Sequence, residues 1–381
     1  SIAFAAIEAV TIASDLISAV SRYKKLFVIS SNASFTYSSK EKTPSEIGEE
    51  LGVKYLLEGK VRKLGKKIRV VASLLSTENG NTIWSNNFDT SLEEIFDIQD
   101  ELVQTIVSTI VGNVERDQVR KLSNAKPEDM RAYDLVLQGL EFHRKSSVCA
   151  ENNKKALSLF TKAAEIDPSY ARAHAWKTCS LANVAEWSPD EVPDDWFDQA
   201  YESLNRAMEL DPNDPEAHRI MGAIKIFMEK DYELGKFHFE KARELCPSDV
   251  YLISRYALML IYIGDSEKAL SELKRAMRLD PFSHDVLFAQ EGMCYYWLED
   301  YKNAVESFRK VKILRQNLFY LAACYIKMDD LDTGLEKLKE AEVVTRQNSD
   351  TFVDSLPYEQ KDMISDLRKT LNSAKGEANT I

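Results

Sequence analysis

From residue 128 onward the apolar positions recur three and four apart, in runs of about a dozen residues. This is the spacing of helices that each bury one stripe. The runs come in pairs. The pair from Pro247 to Pro281 is the most regular: its two runs meet at Gly264-Asp265, and Pro281 closes the second. Proline ends a helix because it has no N–H to donate and clashes with the preceding turn. The unit is 34 residues long, a length at which helical hairpins repeat and must stack on neighbours to bury their faces. Boundary prolines Pro168, Pro212, Pro247 and Pro281 follow at intervals of 44, 35 and 34 residues, so the array is regular but carries insertions.

Before residue 120 the period alternates. Residues 2–4 read as a strand, 12–23 as a helix and 26–29 as a short buried strand. A helix over 43–51 has Thr43 as its N-cap, Pro44 at its first position and Gly52 as its stop. Strands follow at 55–62, 67–75 and 82–88. Asn79-Gly80 signals a hairpin between the last two, because both residues tolerate positive φ. A long helix starts near Ser91, with Ile95, Ile98, Leu102, Ile106, Ile110 and Val114 as its stripe. The expected fold class is an α+β N-terminal domain (a small mixed sheet with helices) followed by an all-α repeat array.

The paired runs share a size code: a small residue in the first helix, then Ala, a large apolar residue and Ala in the second, then Pro. It can be traced six times. Gly139, Ala156, Phe160, Ala163 and Pro168 carry it in the first unit, and Ala322, Gly334, Leu338 and Ala341 in the sixth. The fifth has Gly292, Ala304, Phe308 and Val311 but lacks its terminal proline and about four residues. Lys177 stands where the second should be apolar, which weakens that helix. The code resembles the tetratricopeptide repeat, so the array is expected to be a tetratricopeptide solenoid. Residues 356–371 read as a capping helix with Met363, Ile364, Leu367 and Leu371 toward the last repeat, and 375–381 as a tail without order. The domains expected are 1–126, 127–346 (six repeats) and 347–381 (cap and tail).

Three further segments carry a second resemblance. Leu26-Phe-Val-Ile-Ser-Ser-Asn-Ala-Ser-Phe-Thr-Tyr, then Glu50-Leu-Gly-Val-Lys-Tyr-Leu-Leu-Glu-Gly-Lys-Val-Arg-Lys, then Trp84-Ser-Asn-Asn-Phe-Asp resemble the TolB amino-terminal-like domain. That domain occurs in bacterial signalling proteins, including many class III adenylate/guanylate cyclases and some winged-helix regulators, usually before tetratricopeptide repeats. The resemblance spans residues 1–120. It departs after Phe4, where about ten residues of a polar loop expected of the family are absent, either lost from the protein or skipped in the chain as written.

Charge narrows the partners. The chain of 381 residues has a net charge of −12, and residues 1–120 hold 14 basic against 16 acidic residues, so −10 falls on the remainder. An acidic repeat region argues against nucleic-acid binding. A basic strip of Lys60, Arg62, Lys63, Lys66, Lys67 and Arg69 is either a docking patch for an acidic partner or a solvated hairpin edge. The five cysteines are scattered without a CxxC pair and read as reduced residues of a cytoplasmic protein. No run is long and apolar enough to span a membrane.

Candidate chemistry is sparse. The histidines form no HExxH or HxxxH pair, and no phosphate-binding glycine loop is present. Asp190, Glu191, Asp194 and Asp195 lack the spacing of a calcium loop. No metal, cofactor or catalytic residue is expected, and the two-metal carboxylates of a class III cyclase would lie before Ser1. What remains is recognition. By the resemblance, first helices line a concave groove, and its lining would include His143, Arg144, Arg219, Phe227, Tyr251, Tyr262, Tyr296 and Trp297. Arginine and aromatic residues are common binding hot spots. The expected role is a non-catalytic regulatory region of a bacterial signalling protein, C-terminal to a cyclase domain, with the groove taking a peptide or protein. Alternatives are the sensor region of a winged-helix regulator or a free-standing scaffold, which could be a homo-oligomer.

Overall fold

The structure, a computed structural model, describes residues 2–6, 17–22, 28–30, 33–34, 36–37, 42–64, 67–91, 102–103, 105–106, 128–144, 150–280 and 285–378. They fall into two compact units. One holds residues 1–222 and 237–252, the other 223–236 and 253–381.

The first unit contains a four-stranded sheet in the order β1-β2-β3-β4: β1 Ile2–Ala6, β2 Tyr55–Leu64, β3 Lys67–Ser76 and β4 Thr82–Ser91. β1 pairs parallel with β2, and the other pairs are antiparallel. Helix α1, Pro44–Leu51, precedes β2. Thr43 and Glu46 close a reciprocal capping box at its start, and Gly52 ends it at φ 63°, a conformation glycine adopts without a Cβ clash. Val70, Ala72 and Leu74 alternate into the core, as a half-buried strand requires. Ile47 and Leu51 of α1 join Ile29, Ala33, Tyr37, Val53 and Leu56 in one apolar cluster.

One expectation changes here. The β3–β4 connection is a wider turn, in which Gly80 alone takes positive φ and Asn79 accepts a hydrogen bond from the Asn81 N–H at 3.0 Å. Of the long helix after Ser91, Leu102 and Ile106 are described and buried, and the rest lies outside the described residues. So does the segment after β1 where the family loop should be. The side chains of the basic strip are also outside, except Arg69, whose guanidinium grips Asp89 across the β3–β4 pair at 2.5 and 2.7 Å.

The all-α part consists of helical hairpins. In order they are α2 Met130–Arg144, α3 Ala150–Ile166, α4 Ala171–Trp187, α5 Trp196–Leu210, α6 Pro215–Phe227, α7 Tyr232–Leu245, α8 Val250–Tyr262, α9 Ser266–Leu279, α10 Asp285–Trp297, α11 Tyr301–Arg309, α12 Asn317–Lys327 and α13 Leu331–Thr345. The chain ends in α14 Ser349–Ser355 and α15 Lys361–Ala378. The α+β start followed by tetratricopeptide-type hairpins is the fold class expected.

The size code has a physical cause. A Cβ on Gly139 would lie 2.5 Å from the Phe160 ring, and one on Gly292 would lie 2.6 Å from the Phe308 ring. Each small residue is the socket for the large residue of its partner helix, and Phe160 and Phe308 are fully buried. Lys177 does not break α4, which runs unbroken through it. The shortened fifth unit appears as a nine-residue α11.

Four hairpin turns share one backbone device. Lys230, Gly264, Glu299 and Asp329 take positive φ, at 58°, 88°, 60° and 62°. The next residue, Asp231, Asp265, Asp300 or Asp330, accepts a hydrogen bond from the N–H three residues on, between 3.0 and 3.3 Å. The left-handed residue turns the chain, and the aspartate caps the second helix.

The cap differs from expectation. Residues 356–360 are not helical; α15 begins at Lys361 and continues to Ala378. Leu367 and Leu371 are fully buried, whereas Met363 and Ile364 are half-buried. Pro357 explains the displaced start, since it disfavours helical geometry in the residue before it.

Candidate functional site

The groove residues proposed from the sequence gather in two places, one in each unit. In the first unit, α2, α4 and α6 bring His143, Cys179 and Arg219 together. The Arg219 Nη2 lies 3.5 Å from the Cys179 Sγ, and the His143 Nε2 lies 4.0 Å from it. Glu216, one turn before Arg219, accepts from its Nε at 2.6 Å. The guanidinium also lies over two rings, 5.0 Å from Tyr251 and 5.9 Å from Trp176. His143 packs edge-on to Trp176 with centroids 4.9 Å apart. Its Nδ1 is buried with no hydrogen-bond partner among the described residues.

The charges reinforce one another. Burial opposes ionisation of the Cys179 thiol, but the Arg219 charge and then His143 outweigh it and bring the thiol down to about 6. Burial likewise opposes the Arg219 cation, and Glu216, Tyr251 and Cys179 more than compensate. Nearby Asp249 caps α8 through the Leu252 N–H at 2.9 Å. Burial, then the charge of Glu216, pushes its carboxyl up to about 6.

In the second unit the proposed residues surround a segment of the chain itself. Tyr358, from the non-helical stretch between α14 and α15, is buried at 3% exposure. Its hydroxyl accepts from the Trp297 Nε1–H at 2.7 Å and shares a hydrogen bond with the Tyr320 hydroxyl at 2.8 Å. Its ring packs edge-on against Tyr262 and Trp297, with centroids 5.1 and 5.2 Å apart. Tyr262 meets Phe227 in turn, and Tyr296 meets Trp297 and Tyr320. The backbone is held as well. The Glu359 N–H donates to the Tyr262 carbonyl at 2.9 Å, and the Tyr232 hydroxyl donates to the Tyr358 carbonyl at 3.2 Å.

Exposure divides the proposed lining. His143, Phe227, Tyr251 and Trp297 are at least partly exposed, while Arg219, Tyr262 and Tyr296 are buried. The side chain of Arg144 lies outside the described residues. Sequence reasoning did not select Cys179, Trp176 or Glu216; the significance of Cys179 depends on His143 and Arg219, 36 and 40 residues away in the chain. It also missed Tyr358 and Tyr320. A proline inside an expected helix was the signal available for Tyr358.

Other polar clusters are structural. His218 and His238 bring their Nδ1 atoms to 3.0 Å, with the His218 Nε2 on the Pro212 carbonyl at 2.9 Å. Glu191 of the acidic insertion pairs with Lys154 at 2.7 Å. Among the described residues no group of three potential ligands could hold a metal ion, and no helix is long and apolar enough to cross a membrane.

No family model matches the chain. A Rhizobium meliloti (strain 1021) protein named "Putative adenylate cyclase 3" is 31% identical over 229 residues, covering 58% of this chain and 37% of that protein. "Anaphase-promoting complex subunit 3" of Schizosaccharomyces pombe (strain 972) is 26% identical over 230 residues, covering 60% and 29%. This chain therefore spans about a third of the length of these relatives. Pseudomonas aeruginosa pilF is similar in structure, with 18% identity, a TM-score of 0.41, and coverage of 57% of this chain and 93% of that one.

Proposed function

We propose that this chain is a non-catalytic protein-interaction region of a bacterial signalling protein, and that the inner face of its hairpins takes an extended peptide segment. The observation that carries this reading is the seating of Leu356–Gln360. A non-helical stretch with a buried aromatic anchor, a hydroxyl held by two partners and backbone hydrogen bonds resembles the way a peptide is gripped. The chain's own segment supplies the pattern of the ligand: an aliphatic residue, proline, tyrosine and an acid. Being tethered, it holds an effective concentration that an outside partner must exceed.

The experiment uses the full chain with Tyr358→Ala and a fluorescent peptide of residues 354–362. The variant should bind the peptide at least ten times more tightly than the unaltered chain, and adding Trp297→Ala should remove the gain. A folded Tyr358→Ala chain that ignores the peptide would sink the reading.

The wider setting we propose is a cytoplasmic region that follows a class III adenylate/guanylate cyclase domain. The relatedness to the Rhizobium meliloti protein and the TolB-like motifs support this. Cyclic-nucleotide production by the whole parent polypeptide tests it. A winged-helix domain in that polypeptide instead would overturn the cyclase assignment and leave peptide binding untouched.

A further inference from the structure

The peptide reading makes no use of the Cys179 thiol. Three helices converge on it. The Arg219 guanidinium, 3.5 Å away, is buried and fixed from behind by Glu216. Trp176 and Tyr251 hold the plane of that guanidinium. The His143 imidazole stands 4.0 Å away. Cys179 itself is half-buried, unlike the other described cysteines. A fixed cation beside the sulfur of a cysteine that is not fully buried is a setting that makes it a nucleophile. The other described cysteines contrast with it. Cys246, Cys294 and Cys324 are buried. Burial first, with a nearby carboxylate in the case of Cys246 and Cys294, holds their thiols up in the neutral form.

We infer that Cys179 is a modification site for small peroxides, with Arg219 and His143 as the groups that hold its sulfur ionised. The thiolate sulfur attacks one oxygen of hydrogen peroxide and the O–O bond breaks. Sulfur is oxidised by two electrons to the sulfenic acid, and the departing oxygen leaves as hydroxide, which is neutralised to water by a proton from the buffer. A low-molecular-weight thiol can then condense with the sulfenic acid, forming a mixed disulfide and releasing water. Arg219 retains an anionic partner if the sulfenic acid ionises, whereas the mixed disulfide removes that partner and adds bulk beside Tyr251.

The test reads every cysteine of the full chain separately by peptide mass spectrometry. Iodoacetamide alkylation rates are measured from pH 5 to 10, and hydrogen peroxide is then applied with dimedone to trap sulfenic acid. Cys179 should show its half-maximal rate near pH 6 and should carry the dimedone adduct. Arg219→Met should move the half-point up by at least one pH unit, while Arg219→Lys should restore most of the shift. If neither Arg219 variant folds by circular dichroism, His143→Gln takes its place, with a smaller rise. A half-point in the ordinary range near pH 8.5 for unaltered Cys179, or no dimedone adduct on it, overturns the inference.

Discussion

Single residues set two limits on this molecule. At Gly139 and Gly292 the absence of a side chain is a packing requirement: a methyl group there would overlap a phenyl ring at 2.5 and 2.6 Å. Relief would require Phe160 or Phe308 to leave its rotamer in a fully buried site. Gly139→Ala should therefore destabilise the fold by about 1–3 kcal/mol, although alanine is the better helix former. Urea unfolding of the pair measures the difference, and an unchanged midpoint would show that the socket yields. The other limit is conformational. Lys230, Glu299 and Asp329 sit where glycine would be unstrained, yet each carries a side chain. Such residues cost roughly 1–2 kcal/mol relative to glycine in that region, partly offset because glycine loses more entropy on folding.

At the scale of elements, the size code and the capping residues were legible from the sequence because both act over short distances. Thr43, Pro44 and Gly52 bound α1 as their chemistry requires, and the large residue at Phe160, Leu204, Phe239, Leu273, Phe308 and Leu338 is buried in each unit that carries it. The turn device was hidden, since three of its four left-handed residues are not glycine. The aspartate that follows supplies the more dependable signal. Asp300→Ala removes the side chain that holds the Asn303 N–H and the Asn303 amide. It should cost about 1 kcal/mol, read as a lower thermal midpoint; Asp300→Asn should recover most of the loss. Indifference to the alanine would mean that the nine residues of α11 are held by packing alone.

For the molecule as a whole, sequence periodicity located the hairpins but not what covers them. The proposed lining residues divided into a charged cluster around Cys179 and an aromatic cluster around Tyr358. Neither grouping has a local signature: the Tyr358 hydroxyl finds partners 61 and 38 residues earlier in the chain. Packing an indole against buried phenols also has a spectroscopic consequence. The chain has five tryptophans, and the indole of Trp297 is tied by its N–H to the Tyr358 hydroxyl. Undocking the segment would exchange that fixed phenol for mobile water around an excited indole. Tyr358→Ala should shift the emission maximum to longer wavelength, and the same change on a Trp297→Phe background should not. A spectrum indifferent to Tyr358 would mean that the segment does not dock in solution. With the shift established, an unlabelled partner that displaces the segment would announce itself by colour, so the chain carries its own optical gauge of whether this face is open.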